Sequence, residues 1–192
     1  MPELPPVLTA DAVRDAGPCR VAGTGVGLRP WTAEDADVVA TAFADPAIAE
    51  WRARQADEDD DDPAAWIAGW ARRWAAGSDA VWAVAGPDGD EALGYVGVRR
   101  VSGFDRSAEL SYWMLPAARG GGLARRAATT ATGWAFAELG LHRVWLVHAL
   151  ANVRACAVAS GAGFRVEGTL RGALRTPRGW QDAHLHARLA TD

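Results

Sequence analysis

The segment with the clearest chemical potential is a run of three glycines, residues 120–122, in "LPAARGGGLARRAATTATGW". It separates a strand-like run from an alanine-rich run that favours helix. The first amides of a helix lack intrahelical partners, and the helix dipole adds partial positive charge there. Glycine lets such amides approach an anion and adopts dihedrals that other residues avoid. The pattern therefore predicts a phosphate-binding turn, although similar turns also occur as ordinary loops.

Two common phosphate-binding motifs do not account for these glycines. No Lys-Ser/Thr pair follows them, as it does in a P-loop. The acidic residue that follows the next strand in a dinucleotide-binding fingerprint is also missing. The glycine run must therefore be interpreted from the elements around it.

The elements on either side of the glycines predict a mixed sheet. The strand "AELSYWML" alternates, with Glu109, Ser111 and Trp113 on one face and the residues between them on the other. A helix to Gly140, the strand "HRVWLVHAL", the short helix "NVRACAVASGAGF" and two strands near 164–175 and 180–189 follow. Upstream lie the strand and helix of "VGLRPWTAEDADVVATAFAD", the helix "PAAWIAGWARRWAAG" and a hairpin around "PDGD". This order predicts an α/β (α+β) fold, a mostly antiparallel sheet with helices on both faces.

Local signals mark the ends of the upstream helices. Thr32 is a predicted N-cap, followed by acidic residues in the first turn. Asp62 and Pro63 suit the cap and first position of the next helix, and Gly77 suits its end. Apolar residues spaced by three and four form one stripe on that helix.

Length and composition limit the class of protein. The 192 residues fit one domain, expected at 25–192, with residues 1–24 as an N-terminal extension whose order is left open. A net charge of -4 argues against a nucleic-acid surface, and no apolar run is long enough to span a membrane. With no visible signal peptide, we expect a soluble cytoplasmic protein.

Cysteine and histidine spacing gives no indication of a metal. Cys19 and Cys156 lie far apart, which suits a reducing compartment without a disulfide. His142, His184 and His186 are scattered over predicted strands. They are interpreted as structural, and no metal site is assigned.

The glycine run also matches Arg-x-x-Gly-x-Ala, with Arg119, Gly122 and Ala124 in the three defined positions. Around it stand further tokens in one order: "LRPWTAEDA", "AELSYWMLP", "RGGGLA", "FAELGLHRV", Asn152, "GAGF", "EGTLR" and "GWQDAH". Together, over about residues 26–190, they resemble the GNAT superfamily of acyl-CoA N-acyltransferases. Within that superfamily they resemble the RimJ/RimL-like branch, which acetylates protein N-termini and other primary amines.

The resemblance implies a fold in which two central strands splay apart, and a site for acetyl-CoA in the gap. The backbone near Trp113, Met114 and Leu115 would pair with the pantetheine arm. The amides of Gly120, Gly121, Gly122, Leu123 and Ala124 would hold the pyrophosphate. Arg119 and Arg125 would add contacts to it or face solvent. Asn152 would hold the arm, cap a helix, or do both.

Catalytic roles also follow from the resemblance. Glu109 is the candidate base, acting through water, with a structural salt bridge as the alternative. The backbone N–H near Met114 is the candidate oxyanion donor. The positions where relatives carry a hydroxyl for the leaving thiolate are Ala155 and Ala159. The nearest substitute is Cys156, with packing as its alternative role and water as the alternative proton source.

The acceptor pocket is expected between the first helices, the neighbouring loops and the final hairpin. Its candidate substrate-binding residues are Phe43, Trp51, Phe104 and Trp180. Trp66, Trp70 and Trp113 are further aromatic candidates, but the helical stripe that includes Trp74 is predicted to be core. The acidic residues 57–62 are either solvated surface or an attractor for a cationic acceptor.

These observations predict an N-acetyltransferase. It would move an acetyl group from acetyl-CoA to a primary amine of a small molecule, peptide or protein N-terminus, by direct attack in a ternary complex. A non-catalytic acyl-CoA sensor or partner module is the alternative, motivated by the missing hydroxyls. The acceptor's identity, acyl groups other than acetyl, and the choice between monomer and homodimer stay open.

Overall fold

The computed structural model describes residues 11–52, 62–87 and 89–192. Its described strands form one eight-stranded sheet in the order β1-β2-β3-β4-β5-β6-β8-β7. The strands are β1 (Val21–Gly23), β2 (Val26–Arg29), β3 (Ala80–Ala85), β4 (Gly94–Ser102), β5 (Ser107–Met114), β6 (Arg143–Ala149), β7 (Arg165–Thr176) and β8 (Gly179–Leu189). The helices are α1 (Asp11–Ala16), α2 (Ala36–Ala44), α3 (Pro46–Arg52), α4 (Pro63–Ala76), α5 (Leu123–Ala137) and α6 (Val153–Gly161).

One strand pair interrupts the antiparallel order. β5 and β6 run parallel and pair only from Ser107 to Glu109, opposite residues 143–145. Beyond that point β5 stays paired with β4, whereas β6 is paired along its length with β8. A gap therefore opens between the carboxyl ends of β5 and β6, which confirms the predicted splayed pair.

The two faces of the sheet carry separate cores. On one face, small residues of α5 such as Ala127 and Ala131 let the helix lie close to Trp82, Val96 and Leu110. On the other face, α2 and α4 cover the sheet with a cluster that contains Val39, Trp66, Trp70, Val81 and Tyr95. Trp74, near the end of α4, belongs to the first cluster, so the prediction that the tryptophans of α4 belong to the core is confirmed.

Residues 11–24, expected ahead of the domain, contribute a helix and a strand to it. Val13 of α1 is 1% exposed, and its carbonyl oxygen accepts a hydrogen bond of 3.1 Å from Trp74 Nε1. β1 extends the sheet by pairing with β2. The sequence did not indicate α1 or β1, because each is too short to show a periodic apolar pattern.

The segment that begins at Pro46 forms a short helix. No element was assigned there from the sequence, and α3 occupies Pro46–Arg52. Asp45 caps it by accepting a hydrogen bond of 2.9 Å from the Ile48 amide, and proline suits the first helical position. Among the described residues, no helix has both the length and the apolar composition to cross a bilayer.

Candidate active site

The glycine run lies between the end of β5 and the start of α5. Gly120 and Gly122 have φ values of 91° and 72°, in the left-handed region that favours glycine. Gly122 is the N-cap of α5. A Cβ atom at Gly120 or Gly121 would meet no heavy atom within 4 Å. The turn thus presents open backbone beside the unpaired first amides of a long helix.

Arg126, which no sequence motif indicated, stabilises this turn through two hydrogen bonds. Its Nη1 donates a hydrogen bond of 2.9 Å to Gly121 O, and its Nε donates one of 3.0 Å to Gly25 O in the β1–β2 turn. Arg125 is exposed and lies against the end of α6, since its Cδ is 2.8 Å from where a Gly161 Cβ would stand. Neighbouring arginines therefore have separate roles that the sequence alone does not distinguish.

Arg119 ties three parts of the site together. Its Nε donates a hydrogen bond of 3.0 Å to Met114 O, and its Nη2 one of 2.9 Å to Asp45 Oδ1. The hydrogen bond from Arg119 holds the pKa of Asp45 below its usual value. The guanidinium predicted to contact a pyrophosphate thus links the end of β5, the glycine turn and the start of α3.

The backbone of β5 faces the gap at alternate residues. The Leu115 amide donates to Leu93 O at 2.9 Å, so the strand's odd-numbered residues make the hydrogen bonds to β4. The amides of Tyr112 and Met114 therefore point toward the diverging β6. The Met114 side chain packs on the α5 face, whereas Trp113 stacks on Tyr95 on the opposite face, with centroids 5.9 Å apart. This alternation agrees with the sequence prediction.

Glu109 lies at the closed end of the gap. It belongs to the last parallel pair, opposite Trp145, and is 7% exposed. Arg100 Nη1 donates a hydrogen bond of 3.0 Å to its Oε2. The salt bridge weighed as the alternative role is therefore present, on the same face as Trp113.

The first turn of α6 holds Asn152 and an unexpected hydroxyl. Asn152 Oδ1 accepts a hydrogen bond of 3.1 Å from the Ala155 amide, so this residue caps the helix. The Tyr112 hydroxyl donates to Ala155 O at 3.2 Å. Burial, and secondarily the Cys156 thiol, raise the pKa of Tyr112, which keeps its phenol protonated. The Tyr112 hydroxyl thus lies beside Ala155, a position at which the resemblance implied a hydroxyl that this sequence lacks.

Three of the four histidines converge beneath α6, contrary to the expectation of scattered positions. His148, His184 and His186 each offer a ring nitrogen, and these atoms and Cys156 Sγ all lie within 4.8 Å of one another. Burial, with the neighbouring histidines, lowers the pKa of His148 and of His186. Because these residues come from β6, α6 and β8, sequence spacing did not reveal the cluster.

The acceptor side has an aromatic wall. Trp66 makes edge contacts with Trp31 and Phe43, with centroids 5.4 and 5.7 Å apart. Trp31 also lies against Trp113, with centroids 6.0 Å apart. Phe43 is thereby placed beside the face of β5 that carries Trp113. The side chain of Trp51 and residues 57–61 of the acidic run lie outside the described residues.

The final hairpin reaches α3, but one predicted acceptor residue lies elsewhere. Arg178 Nε is 3.1 Å from Glu50 Oε1, so the tip of the β7–β8 hairpin meets α3. Trp180, next to this tip, is 70% exposed. Phe104 is 79% exposed in the β4–β5 turn. It lies at the far end of β5, roughly 25 Å of extended strand from the glycine turn, and is not grouped with the other acceptor candidates.

Comparison with known proteins agrees with this geometry. A family model described as "Acetyltransferase (GNAT) domain" matches residues 26–165. The structure of RimJ from Mycobacterium smegmatis in complex with CoA-disulfide is 27% identical, over 91% of this chain and 88% of that chain, with a TM-score of 0.77. A probable GNAT acetyltransferase from Chromobacterium violaceum is 28% identical, over 91% and 87% of the two chains, with a TM-score of 0.72.

A more distant structure shares the fold alone. The ribosomal L7/L12 alpha-N-protein acetyltransferase RimL in complex with coenzyme A is 14% identical, over 89% and 98% of the two chains, with a TM-score of 0.77. No curated protein matches the chain at a significant level. The likeness to RimJ supports placement in the RimJ/RimL-like branch. Because the family model spans well over half of the residues, the chain belongs to the GNAT family of acetyl-CoA-dependent acetyltransferases.

Proposed function

We propose that the protein transfers the acetyl group of acetyl-CoA to a primary amine held between α3, the aromatic wall and the final hairpin. One observation carries the proposal: the open glycine turn follows the end of β5 after a single 3-10 turn, Pro116–Ala118, on the side where β5 has separated from β6. A pyrophosphate bound at the turn would leave the pantetheine arm to lie along the free edge of β5 as an added strand. The thioester would then lie within the gap.

The backbone supplies most of the proposed cofactor contacts. The pyrophosphate would be held by the amides of Gly120, Gly121, Gly122, Leu123 and Ala124. Arg125 adds positive charge to the same surface. The edge of β5 at residues 113–115 and the cap residue Asn152 would line the two sides of the pantetheine arm. Arg119 acts here by positioning the turn, because two of its nitrogens already bond Met114 O and Asp45.

Bound acetyl-CoA supplies the activated acetyl thioester, and the protein positions and deprotonates the amine. Glu109 would accept the amine proton through a water molecule. The Met114 amide, directed toward the gap, would donate to the carbonyl oxygen as negative charge develops on it. A CoA thiolate resembles that of cysteine, whose pKa is about 8.5, so it needs little help in leaving. Tyr112 and Cys156 are the nearby groups able to protonate it.

A cationic amine is the proposed acceptor. In the sequence, the acidic segment 57–62 precedes α4, the helix that contributes Trp66 to the aromatic wall. Acidic charge near a site raises the local concentration of cations and is screened by salt. A small amine or a peptide N-terminus fits this proposal.

The test is release of CoA thiol from acetyl-CoA over a panel of polyamines, aminoglycosides, amino acids and short peptides. We expect turnover with at least one cationic amine. We also expect an acceptor KM that rises with salt while the KM for acetyl-CoA stays nearly constant. Tight CoA binding without thiol release from any amine contradicts the enzymatic proposal. A salt-independent acceptor KM contradicts the cationic acceptor.

Gly121 offers a clean test of the pyrophosphate turn. Its φ lies outside the left-handed region and a Cβ there meets nothing within 4 Å, so Gly121→Ala should bind CoA like the wild type. Gly121→Glu places negative charge beside the phosphates and should weaken binding ~100-fold, or about 2.7 kcal/mol. Calorimetric titration with CoA measures both, and Gly121→Gln separates charge from size. Equal binding by the Glu and Gln variants would contradict an anion at this turn.

A further inference from the structure

We propose that the protein binds one Zn²⁺ ion through His148, Cys156, His184 and His186, and that this ion fixes α6 to the sheet. The ion takes no part in acetyl transfer, and a zinc-bound Cys156 thiolate carries no proton, so the proposal leaves Tyr112 as the side-chain acid for the leaving CoA thiolate. All four residues carry donor atoms that zinc prefers, three imidazole nitrogens and one thiolate sulfur. The set contains no carboxylate, which disfavours magnesium and calcium.

The fold brings the four residues together from three elements. His148 on β6 is paired directly with His184 on β8. His186 lies two residues further along β8 and therefore faces the same side of the sheet. α6 packs over this side and places Cys156 Sγ 3.9 Å from His186 Nε2. The four donor atoms all lie within 4.8 Å of one another.

The distances fit a tetrahedral ion once the side chains adjust. His148 Nε2 and His186 Nε2 are 3.0 Å apart. Zinc with bonds of about 2.0–2.1 Å to nitrogen and about 2.3 Å to sulfur separates two nitrogens by about 3.3 Å, and a nitrogen from a sulfur by about 3.6 Å. These two distances differ from their tetrahedral values by a few tenths of an ångström, and the other donor pairs, all within 4.8 Å, would have to shorten by up to roughly 1.5 Å. Ordinary side-chain rotation is enough to supply such changes.

Hydrogen bonding around His148 directs a lone pair into the cluster. His148 Nδ1 lies 2.9 Å from Ala149 O, and a carbonyl can only accept, so Nδ1 carries the proton. Nε2 is then unprotonated and faces His186. An imidazole N–H held by a backbone carbonyl is the usual outer support of a metal-bound histidine. Without a cation, His186 must donate its own Nε2 proton to bridge the two rings.

A buried polar atom without a partner is a second observation in favour of a bound ion. His186 is 0% exposed. Among residues 11–52, 62–87 and 89–192, His184 Nδ1 is buried without a hydrogen-bond partner. Buried polar atoms are rarely left unpaired in native proteins. Four protein ligands also complete a tetrahedral shell, which is the arrangement of structural zinc rather than of catalytic zinc with an open position.

Bound zinc would hold α6 in place along one side of the gap proposed for the cofactor. Asn152 caps α6, and the first turn of this helix accepts a hydrogen bond from Tyr112 of β5. An ion bonded to α6, β6 and β8 would hold this helix in place whether or not β5 is occupied. We therefore expect zinc to raise the thermal stability of the protein, because a ligand that binds only the folded state stabilises it.

The experiment uses the full chain, freed of metal by a chelator and then dialysed. Titration with Co²⁺ alone should give one ion per chain, with d–d bands of tetrahedral intensity and a thiolate-to-cobalt charge-transfer band. Zn²⁺ should displace the cobalt and raise Tm. Cys156→Ser should lose the charge-transfer band, and His184→Gln should weaken Zn²⁺ affinity by ~100-fold or more, beyond the usual effect of changing an outer support.

Matched controls come from the remaining cysteine and histidine. Cys19→Ser and His142→Gln change the same residue types outside the cluster and should bind cobalt like the wild type. Unchanged affinity in Cys156→Ser and His184→Gln, or a wild type that binds no stoichiometric metal and whose Tm ignores zinc, would overturn the site. The wild-type titration decides the question even where a variant does not fold.

Discussion

At the residue scale, Glu109 has two proposed roles that compete. As a base it must accept a proton from the amine, but its carboxylate already forms a salt bridge with Arg100. The Arg100 side chain is 53% exposed, whereas that of Glu109 is 9% exposed. Water can therefore solvate the guanidinium when the pair opens. The arginine is therefore able to move aside when water and amine enter.

The first prediction concerns this carboxylate. Glu109→Gln keeps the shape of the side chain but cannot accept a proton. We expect kcat to fall by ~10²–10⁴, the range for loss of a general base, with little change in CoA affinity. Steady-state kinetics and CoA titration measure the two quantities.

Arg100→Met is the matched control for Glu109→Gln. It removes the salt bridge and leaves the carboxylate. A near-normal rate in Arg100→Met beside a large loss in Glu109→Gln assigns the effect to proton transfer. Similar losses in both variants, or a near-normal rate in Glu109→Gln, would assign Glu109 to structure.

The second prediction concerns Tyr112, whose phenol reaches the first turn of α6. Tyr112→Phe removes the hydroxyl that donates to Ala155 O and keeps the ring. If this phenol protonates the leaving thiolate, kcat should fall roughly 10–100-fold, and the loss should shrink with acyl donors whose thiol is more acidic. An equal loss with every donor would mean that the hydroxyl only holds α6.

Residue roles were predictable where backbone chemistry decides them. The need for glycine at residues 120 and 122 follows from the turn and is seen in their positive φ values. The roles of Arg119, Arg126 and Tyr112 depend on where long side chains end. Arg119 turns back to Met114 O and Asp45, and Arg126 reaches Gly25 in the β1–β2 turn. No local pattern carries that information.

At the element scale, strands and capped helices were predicted well, and short elements were missed. The Asp62 carboxylate accepts from the Ala64 and Ala65 amides, and Gly77 ends α4 in the left-handed conformation, as expected. α3 has only seven residues and was not assigned from the sequence. Its position depends on Asp45 and Glu50, which bind Arg119 and Arg178 from distant parts of the chain. Such tertiary ion pairs are invisible to periodicity.

The third prediction tests the junction between β2 and α2. Arg29 donates two hydrogen bonds of 2.7 Å to the Asp35 carboxylate, and both side chains are less than 10% exposed. Asp35→Asn should therefore lower the free energy of unfolding by ~3 kcal/mol, because Arg29 stays buried without its counter-charge. Urea denaturation at neutral pH measures this loss. Asp37→Asn, exposed on the same helix, should change stability by less than about 0.5 kcal/mol.

The pH dependence of that junction has a defined sign. Burial alone would raise the pKa of Asp35, but the hydrogen bonds from Arg29 and Thr32 outweigh it and lower the pKa overall. The folded state then binds the proton less readily than the unfolded chain does. Stability from this pair is present above the ordinary aspartate pKa of about 3.9 and is lost as pH falls through the lowered value. The difference between wild type and Asp35→Asn should shrink over that interval, and a constant difference would contradict the coupling.

At the scale of the whole molecule, the sequence order predicted a mixed sheet and the motif tokens predicted its family. Both follow from local patterns that succeed one another along the chain. The cluster of three histidines and Cys156 could not be predicted in this way, because it depends on the register of β6 on β8 and on the packing of α6. Its members at 148, 156, 184 and 186 span 38 residues between His148 and His186, so spacing resembled scatter.

Whether the cooperatively folding core includes the segment before residue 25 depends on α1. Val13 is 1% exposed and packs in the same cluster as Trp74 and Trp82. The indole N–H groups of these tryptophans donate to Val13 O and Cys19 O at 3.1 and 2.9 Å. Losing this segment would therefore open a cavity and leave two buried donors unpaired, each of which is costly.

Val13→Ala should accordingly lower the free energy of unfolding by ~2 kcal/mol, whereas Asp15→Ala, exposed on the same helix, should change it by less than about 0.5 kcal/mol. Denaturant melts followed by tryptophan fluorescence suit the measurement, because Trp74 and Trp82 lie at the contact. If α1 belongs to the core, both variants retain a single transition and Val13→Ala shifts its midpoint. Equal midpoints for the two variants would mean that the sheet is stable without α1, and that the domain begins near residue 25.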